Sequence, residues 1–392
     1  MKLKSLIAAT AAAVGLTMTP MTQAQEVRIG LLTTLTGPLA ALGQHVRDGF
    51  SLAVEEAGGK LGGVTTKVMV EDDQLRPDVA VQLATKLAER EKVDILTGVI
   101  FSNVAMAVVK PTAENKVFFI SPNAGPSALA GKQCSPWFFS TAWQNDQPHE
   151  AMGAHLQAEG VKKVYLVAPN YNAGKDALNG FKRAFKGTVI GESYPGMNQL
   201  DFAAEISQIR AAKPDAVYVF LSGGMGINFT RQYSQARLTS EIPMYSAFTI
   251  DAITLPAIGE AAVGTFQSNL WNDDLDNAAN RKFVAAFKKK FNYLPSNFAA
   301  QSYDTARMID SALRATGGKI NDKKAFAAAL RNVKFDSIRG PFAFNSNNFP
   351  IGNFYLLETI KRSDGKIEQV TRKTILTGAK DAYFGECRME GL

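Results

Sequence analysis

The sequence predicts an α/β protein made of two doubly wound lobes, each built on a parallel sheet. Three observations carry this. Short apolar runs rich in Val, Ile and Phe alternate with helical stretches, the pattern of parallel strands covered by helices. The alternation runs from Val27 to Thr141 and begins again at Pro148, without obvious identity between the two passes. The chain, at 392 residues, exceeds what one hydrophobic core ordinarily serves.

The first pass opens with a strand at Val27–Leu32 and the loop Thr33–Pro38. A helix over Leu39–Ala57 follows, with Leu42, Val46, Phe50 and Ala53 at helical spacing. Gly58-Gly59 stops it, and Gly62-Gly63 turns the chain into a strand at Thr66–Val70. Glu71-Asp72-Asp73 ends that strand. Three carboxylates there could hold a metal, but a solvated turn capping the next helix is the commoner use. That helix starts at Pro77, a favoured first position, and runs to about Glu91. Then comes GVIFSNVAMAVVKPTAENKVFFISPNAG, residues Gly98–Gly125. It reads as strand end, loop, helix (Ser102–Asn115), strand (Val117–Ile120) and second loop. Both loops lie at carboxyl ends of strands, where open α/β sheets bind ligands. A helix start beside the Ser102 hydroxyl offers N–H donors to a small carboxylate. A short helical piece at Pro126–Gly131 and a strand at Trp137–Thr141 complete the pass.

Ala142–Asp146 is polar and irregular and reads as a linker. The second pass has helices at Pro148–Glu159, Lys175–Phe185, Phe202–Ala212, Gly226–Arg237 and near Ile253–Ile258. Its strands are Val164–Ala168, Thr188–Tyr194, Ala216–Leu221, Pro243–Ala247 and Gly264–Asn269. Helices at Ala278–Phe291, Asn297–Thr316 and Lys323–Asn332 follow. The end is strand-like over Phe354–Ile360, Lys366–Thr371 and Thr374–Leu376, with a turn at Ser363-Asp364-Gly365.

Residues 1–24 stand outside this pattern. Lys2 and Lys4 precede a short apolar run, Leu6–Leu16, and Thr22-Gln23-Ala24 offers small residues for a cut. This is the plan of a secretory signal peptide cleaved near Ala24, too short for a membrane span. Without Lys2 and Lys4 the net charge falls from +7 to +5, modest and scattered. Lys288-Lys289-Lys290 is the one tight basic run and reads as a solvated helix face, not a nucleic-acid surface. Two cysteines in an exported chain predict one disulfide, Cys134–Cys387.

Catalytic signatures are sparse. His149 and His155 are not on one helix face, and HEAMGAH lacks zinc-protease spacing. No G-x-S-x-G elbow occurs. Gly58–Gly63 lacks the order of a phosphate-binding loop. Gly223-Gly224-Met225-Gly226 lacks the third glycine of a dinucleotide fingerprint, though it suits close approach of backbone to ligand. No enzyme activity, cofactor or metal is expected. What remains is a set of strand-end loops: Thr36-Gly37-Pro38 with Leu42, Phe101-Ser102-Asn103, Asn123-Ala124-Gly125, Asn170-Tyr171-Asn172, Gly224-Met225-Gly226 and Phe248-Thr249. Half belong to each pass, and a cleft between two lobes would bring them face to face.

The ordered set VRIGLLTTLTGPLAALG, EEAGG, VMVEDDQ, GVIFSNVAMAVV, ISPNAG, APNYNAGKD, DFAAEISQIRAAKPDAVYVF and YDTARMIDSAL resembles the periplasmic solute-binding proteins of branched-chain amino acid-type ABC importers, across nearly the whole mature chain. The resemblance implies a type I periplasmic binding fold, with two lobes joined by a three-stranded hinge near Ala142–Asp146, Gln267–Leu270 and Pro350–Phe354. On that plan residues 25–143 with 270–350 form the first lobe, and 144–269 with 351–392 the second. The ligand carboxylate would meet Ser102 and the loop Asn123, Ala124, Gly125, with Tyr171 reaching in from the other lobe. Amino-acid-binding members hold the ammonium on an acid near position 248, where this chain has Phe248 and no carboxylate before Asp251. An unpaired buried ammonium is costly. Leu42, Phe101, Met225 and Phe248 would form an apolar, aromatic wall. The expected ligand is therefore an aromatic or other apolar carboxylic acid, placing the chain in an aromatic and organic-acid subgroup. Branched-chain amino acids, amides or urea are the alternatives. The expected partners are an inner-membrane permease with its ATPase. A sensing receptor is the other role, and a monomer the expected state.

Overall fold

The computed structural model describes residues 26–391; the expected signal peptide lies outside them. The first sheet holds β1 (Glu26–Thr33), β2 (Lys60–Leu61), β3 (Val64–Asp72), β4 (Ile95–Thr97), β5 (Phe118–Ser121) and β6 (Phe138–Ser140). Its order is β2-β3-β1-β4-β5-β6. All neighbours are parallel except β2, which forms a hairpin with β3 through the Gly62-Gly63 turn. Helices α1 (Ala40–Glu56), α2 (Pro77–Glu89), α3 (Ser102–Glu114) and α4 (Ser127–Ala130) connect these strands.

The second sheet repeats the plan. It is built from β7 (Lys163–Val167), β8 (Thr188–Ser193), β9 (Ala216–Val219), β10 (Met244–Ser246) and β11 (Phe266–Asn269), all parallel. Helices α5 (Gln147–Ala158), α6 (Asn172–Ala184), α7 (Ala203–Ala212), α8 (Gly224–Gln235) and α9 (Leu255–Ile258) accompany it. The chain then returns to the first sheet as α10 (Ala278–Phe291), α11 (Asn297–Ala315), which lies along α1, and α12 (Lys323–Arg331). Finally β12 (Ala343–Phe344), β13 (Pro350–Lys361) and β14 (Ile367–Ala379) extend the second sheet with antiparallel pairs. The strands Lys366–Thr371 and Thr374–Leu376 expected separately are one strand, because register shifts opposite Gly352–Leu357 keep β14 paired through them.

The polypeptide thus passes between the sheets three times: between β6 and α5, between β11 and α10, and between α12 and β13. The first passage is no open linker. Ala142 and Trp143 are buried, and Arg339 donates to the carbonyls of Thr141 (2.6 Å) and Ala142 (3.1 Å) while pairing with buried Asp304 at 3.1 Å. At the end of β3 the carboxylates do not cap α2, whose cap position is Arg76 without a side-chain bond. Instead Asp72 accepts from Leu35 N–H (2.8 Å) and the Thr36 hydroxyl (2.7 Å), and Asp73 from the Thr34 hydroxyl (2.5 Å). They brace the loop after β1. Among the described residues no acid, histidine or cysteine cluster suits a metal, and no helix is long and apolar enough to cross a membrane.

The tail returns to the first lobe. Cys134 and Cys387 form a disulfide with Cα atoms 5.6 Å apart. Just before it, the Tyr383 hydroxyl donates to buried Asp146 at 2.8 Å, beside an Arg183–Asp146 pair at 2.7 Å.

Candidate ligand-binding cavity between the lobes

A small cavity lies between the two sheets, at the carboxyl ends of their parallel strands. Five loops build it. Ile100, Phe101 and Ser102 follow β4, and Asn123 follows β5. Tyr171 and Ala173 follow β7, Phe220 and Ser222 follow β9, and Phe248 follows β10. Leu42 of α1, Phe298 of α11, His149 of α5, and Trp143 and Asn145 of the first passage complete the lining. None of these side chains is formally charged.

One wall is aromatic. Trp143 and Phe248 stack with centroids 4.5 Å apart and planes at 22°. Phe220 meets Phe248 edge-on at 6.2 Å, and His149 lies 4.8 Å from Phe220. Across the cleft, Phe101 and Tyr171 come within 6.4 Å. Phe248 holds its ring there from a left-handed backbone, φ +56°. A bulky side chain rarely adopts that conformation, and such strain concentrates at functional sites. His149 is fully buried, and burial lowers its pKa to about 3. It is therefore neutral, with Nδ1 bonded to the Tyr218 hydroxyl.

The other side is polar without being charged. Ser102 is the first residue of α3, and Ala173 lies in the first turn of α6. Neither helix has a side-chain cap. The N–H groups of Ser102, Asn103 and Val104, and of Asn172, Ala173 and Gly174, have no acceptor among the described residues. Two helix N-termini, one from each lobe, therefore aim free donors and positive dipole ends at one cavity. The Ser102 oxygen accepts from Asn145 Nδ2 at 2.9 Å. Asn123 Nδ2 donates to Ile100 O at 2.7 Å, which leaves its Oδ1 buried without a partner.

Leu42, Phe101, Ser102, Asn123, Tyr171 and Phe248 are thus gathered by the fold around one space. Ala124 and Gly125 stand behind it. The Ala124 carbonyl accepts from Ser121 Oγ at 2.7 Å, and Gly125 N–H donates to Asn145 Oδ1 at 3.1 Å. A Cβ on Gly125 would lie 2.1 Å from the Trp143 carbonyl, so glycine lets the two chains touch. Met225 is not at the cavity. Helix α8 starts at Gly224, two residues before its periodicity suggests, and this turns Met225 into the core with Val219, Leu221 and Phe229. Phe220 and Ser222 of the preceding loop take its place. Just before that helix, Gly223 (φ +59°) lets Leu39 and Leu42 of the opposite lobe approach.

Ile100, Trp143, Asn145, His149, Ala173, Phe220, Ser222 and Phe298 also line the cavity and are missed by sequence reasoning. Trp143 and Asn145 lie in what reads as a linker, and the histidine has no partner pattern. An aromatic residue in a polar linker is the one signal that was available. Asp251, the nearest acid after Phe248, is turned away. Its Oδ1 accepts from Ile253 N–H (2.9 Å) and Thr254 N–H (3.0 Å). Burial raises its pKa to about 6.

The family model described as "periplasmic binding protein" matches residues 26–366. A curated relative from Brucella melitensis, Leu/Ile/Val-binding protein homolog 6, is 30% identical over 370 residues, covering 92% of this chain and 94% of the relative. Among solved structures, an ABC-transporter solute-binding protein from R. palustris in complex with benzoate is 34% identical. Its TM-score is 0.87, with 93% of this chain and 99% of that one covered. One from Rhodopseudomonas palustris BisB5, in complex with 3,4-dihydroxybenzoic acid, is 29% identical, with a TM-score of 0.86 and 91% and 99% covered. With its two sheets, three passages and matching family model, this chain belongs to the periplasmic binding protein family and has the type I fold.

Proposed function

We propose that this chain is an extracytoplasmic receptor that captures a small aromatic carboxylate, closes on it, and delivers it to an inner-membrane ABC permease driven by its ATPase. The observation that carries this is the pairing of an aromatic wall with uncharged donors in a cavity that holds no formal charge. Anion and ring each find a complement: N–H groups of α3 and α6 with the Ser102 hydroxyl for the one, Trp143, Phe220 and Phe248 for the other. An α-ammonium group finds none, which disfavours leucine despite the names of the Brucella relatives. The benzoate and dihydroxybenzoate held by the similar structures support the same class. The unpartnered Asn123 Oδ1 supports room for a ring hydroxyl.

In this reading the moving bodies are residues 25–143 with 270–350 and residues 144–269 with 351–392. Phe101, Ser102, Asn123, Tyr171, Leu42 and Phe248 touch the ligand, while Ala124 and Gly125 shape the floor. The chain works as a monomer, is exported after cleavage near Ala24, and performs no covalent chemistry. Titration calorimetry with benzoate, 4-hydroxybenzoate, leucine and urea tests it. The expected result is that the two acids bind at least about 100-fold more tightly than leucine, about 2.7 kcal/mol. Leucine binding as tightly as benzoate would overturn it.

A further inference from the structure

Asn145 lies in the first passage between the lobes and is 4% exposed. Its amide is fully committed. Oδ1 accepts from Gly125 N–H at 3.1 Å, and Nδ2 donates to Ser102 Oγ and to Asp176 Oδ2, both at 2.9 Å. Asp176 stands on α6 of the second lobe. It also accepts from the first lobe, taking the N–H of Ser127 at 3.1 Å and its hydroxyl at 2.7 Å. One carboxylate thus gathers donors from the opposite lobe and from the passage joining the two. It does not line the cavity itself.

This arrangement settles which way the Asn145 amide faces. Turned over, it would set its oxygen against the Asp176 carboxylate and its NH2 against Gly125 N–H, two repulsive pairs. In the orientation held, Ser102 Oγ receives a hydrogen bond, so its own proton is left to donate elsewhere. The Ser102 oxygen has no other protein partner among the described residues, and the residue lines the cavity. A hydroxyl committed to donating selects an acceptor such as a carboxylate over the NH2 of a carboxamide.

We propose that Asp176 is a positioning residue that couples lobe closure to anion recognition, latching Ser127 across the cleft while it holds Asn145 so that Ser102 presents its proton to the ligand. The anion half rests on the carboxylate reading above; the latch does not depend on the ligand. Hydrogen exchange on the ligand-free protein tests the latch, because Asp176 is the one partner of the Ser127 amide among the described residues. In Asp176→Ala that amide should exchange about tenfold faster, equivalent to about 1.4 kcal/mol, with α3 unchanged. Calorimetry with benzoate and benzamide tests the positioning. Asp176→Asn should reduce the preference for benzoate over benzamide about tenfold. Ser127→Ala should speed benzoate release without altering that preference, and Ser127→Thr should restore the wild-type rate. Unchanged exchange at Ser127 overturns the latch, and an unchanged preference in Asp176→Asn overturns the positioning role. A wild type that binds neither compound overturns the carboxylate reading and the anion half with it, and the exchange result then decides the latch alone.

Discussion

Replacing Ser102 with alanine removes one hydroxyl from the polar side of the cavity and leaves the backbone donors of α3 in place. The side chain is 2% exposed, so water does not readily take over its role. A hydrogen bond to a charged partner contributes about 1.5–3 kcal/mol net, or roughly 12- to 160-fold in Kd. The lower half of that range is expected, because the free N–H groups at the starts of α3 and α6 still face the anion. Asn145 Nδ2 loses one acceptor but keeps Asp176 at 2.9 Å. That loss is the same with and without ligand, so it cancels in the affinity and lowers stability by about 1 kcal/mol. Calorimetric titration of wild type and Ser102→Ala with benzoate, beside thermal unfolding of each, separates the two effects. Expected is a Kd raised by about 12- to 40-fold with the fold intact. A folded variant that binds benzoate within about threefold of wild type, about 0.65 kcal/mol, would refute the assignment of Ser102 as a donor.

Two further predictions concern stability. Burial lowers the His45 pKa to about 4, against about 6.5 in an unfolded chain. The unfolded state therefore binds the extra proton first. The stability tied to neutral His45 is present above pH 6.5, falls as the pH drops below it, and is lost in full below about 4. At pH 5 the loss is about 2 kcal/mol relative to pH 7, so chemical denaturation at both pH values should show His45→Gln less acid-sensitive than wild type by that amount. The Cys134–Cys387 disulfide closes a sequence separation of 253 residues. On the chain-entropy model this contributes up to about 5 kcal/mol; replacing both cysteines with serine should shift the urea midpoint down, and an unshifted midpoint would refute that contribution.

The sequence alone determined the alternation of strands and helices, the place of most elements to within two or three residues, and the absence of an acid directly after Phe248. These follow from local periodicity, from glycine and proline punctuation and from residue identity, all of which act over a few positions. Ser102, Tyr171 and Phe248 were legible as cavity-lining residues, because a strand end is where an α/β sheet opens to the cleft. Tertiary structure alone decided which side chains face the cavity. Starting α8 two residues early turns Met225 from the cavity into the core, since each helical residue rotates the side-chain direction by about 100°. Trp143 and Asn145 became part of the site only when Arg339, nearly 200 residues away, pinned the passage that carries them. Asp176 meets Ser127 only because the two sheets face each other across the cleft. Contacts of that span depend on how two cores pack, and no local pattern along the chain encodes them.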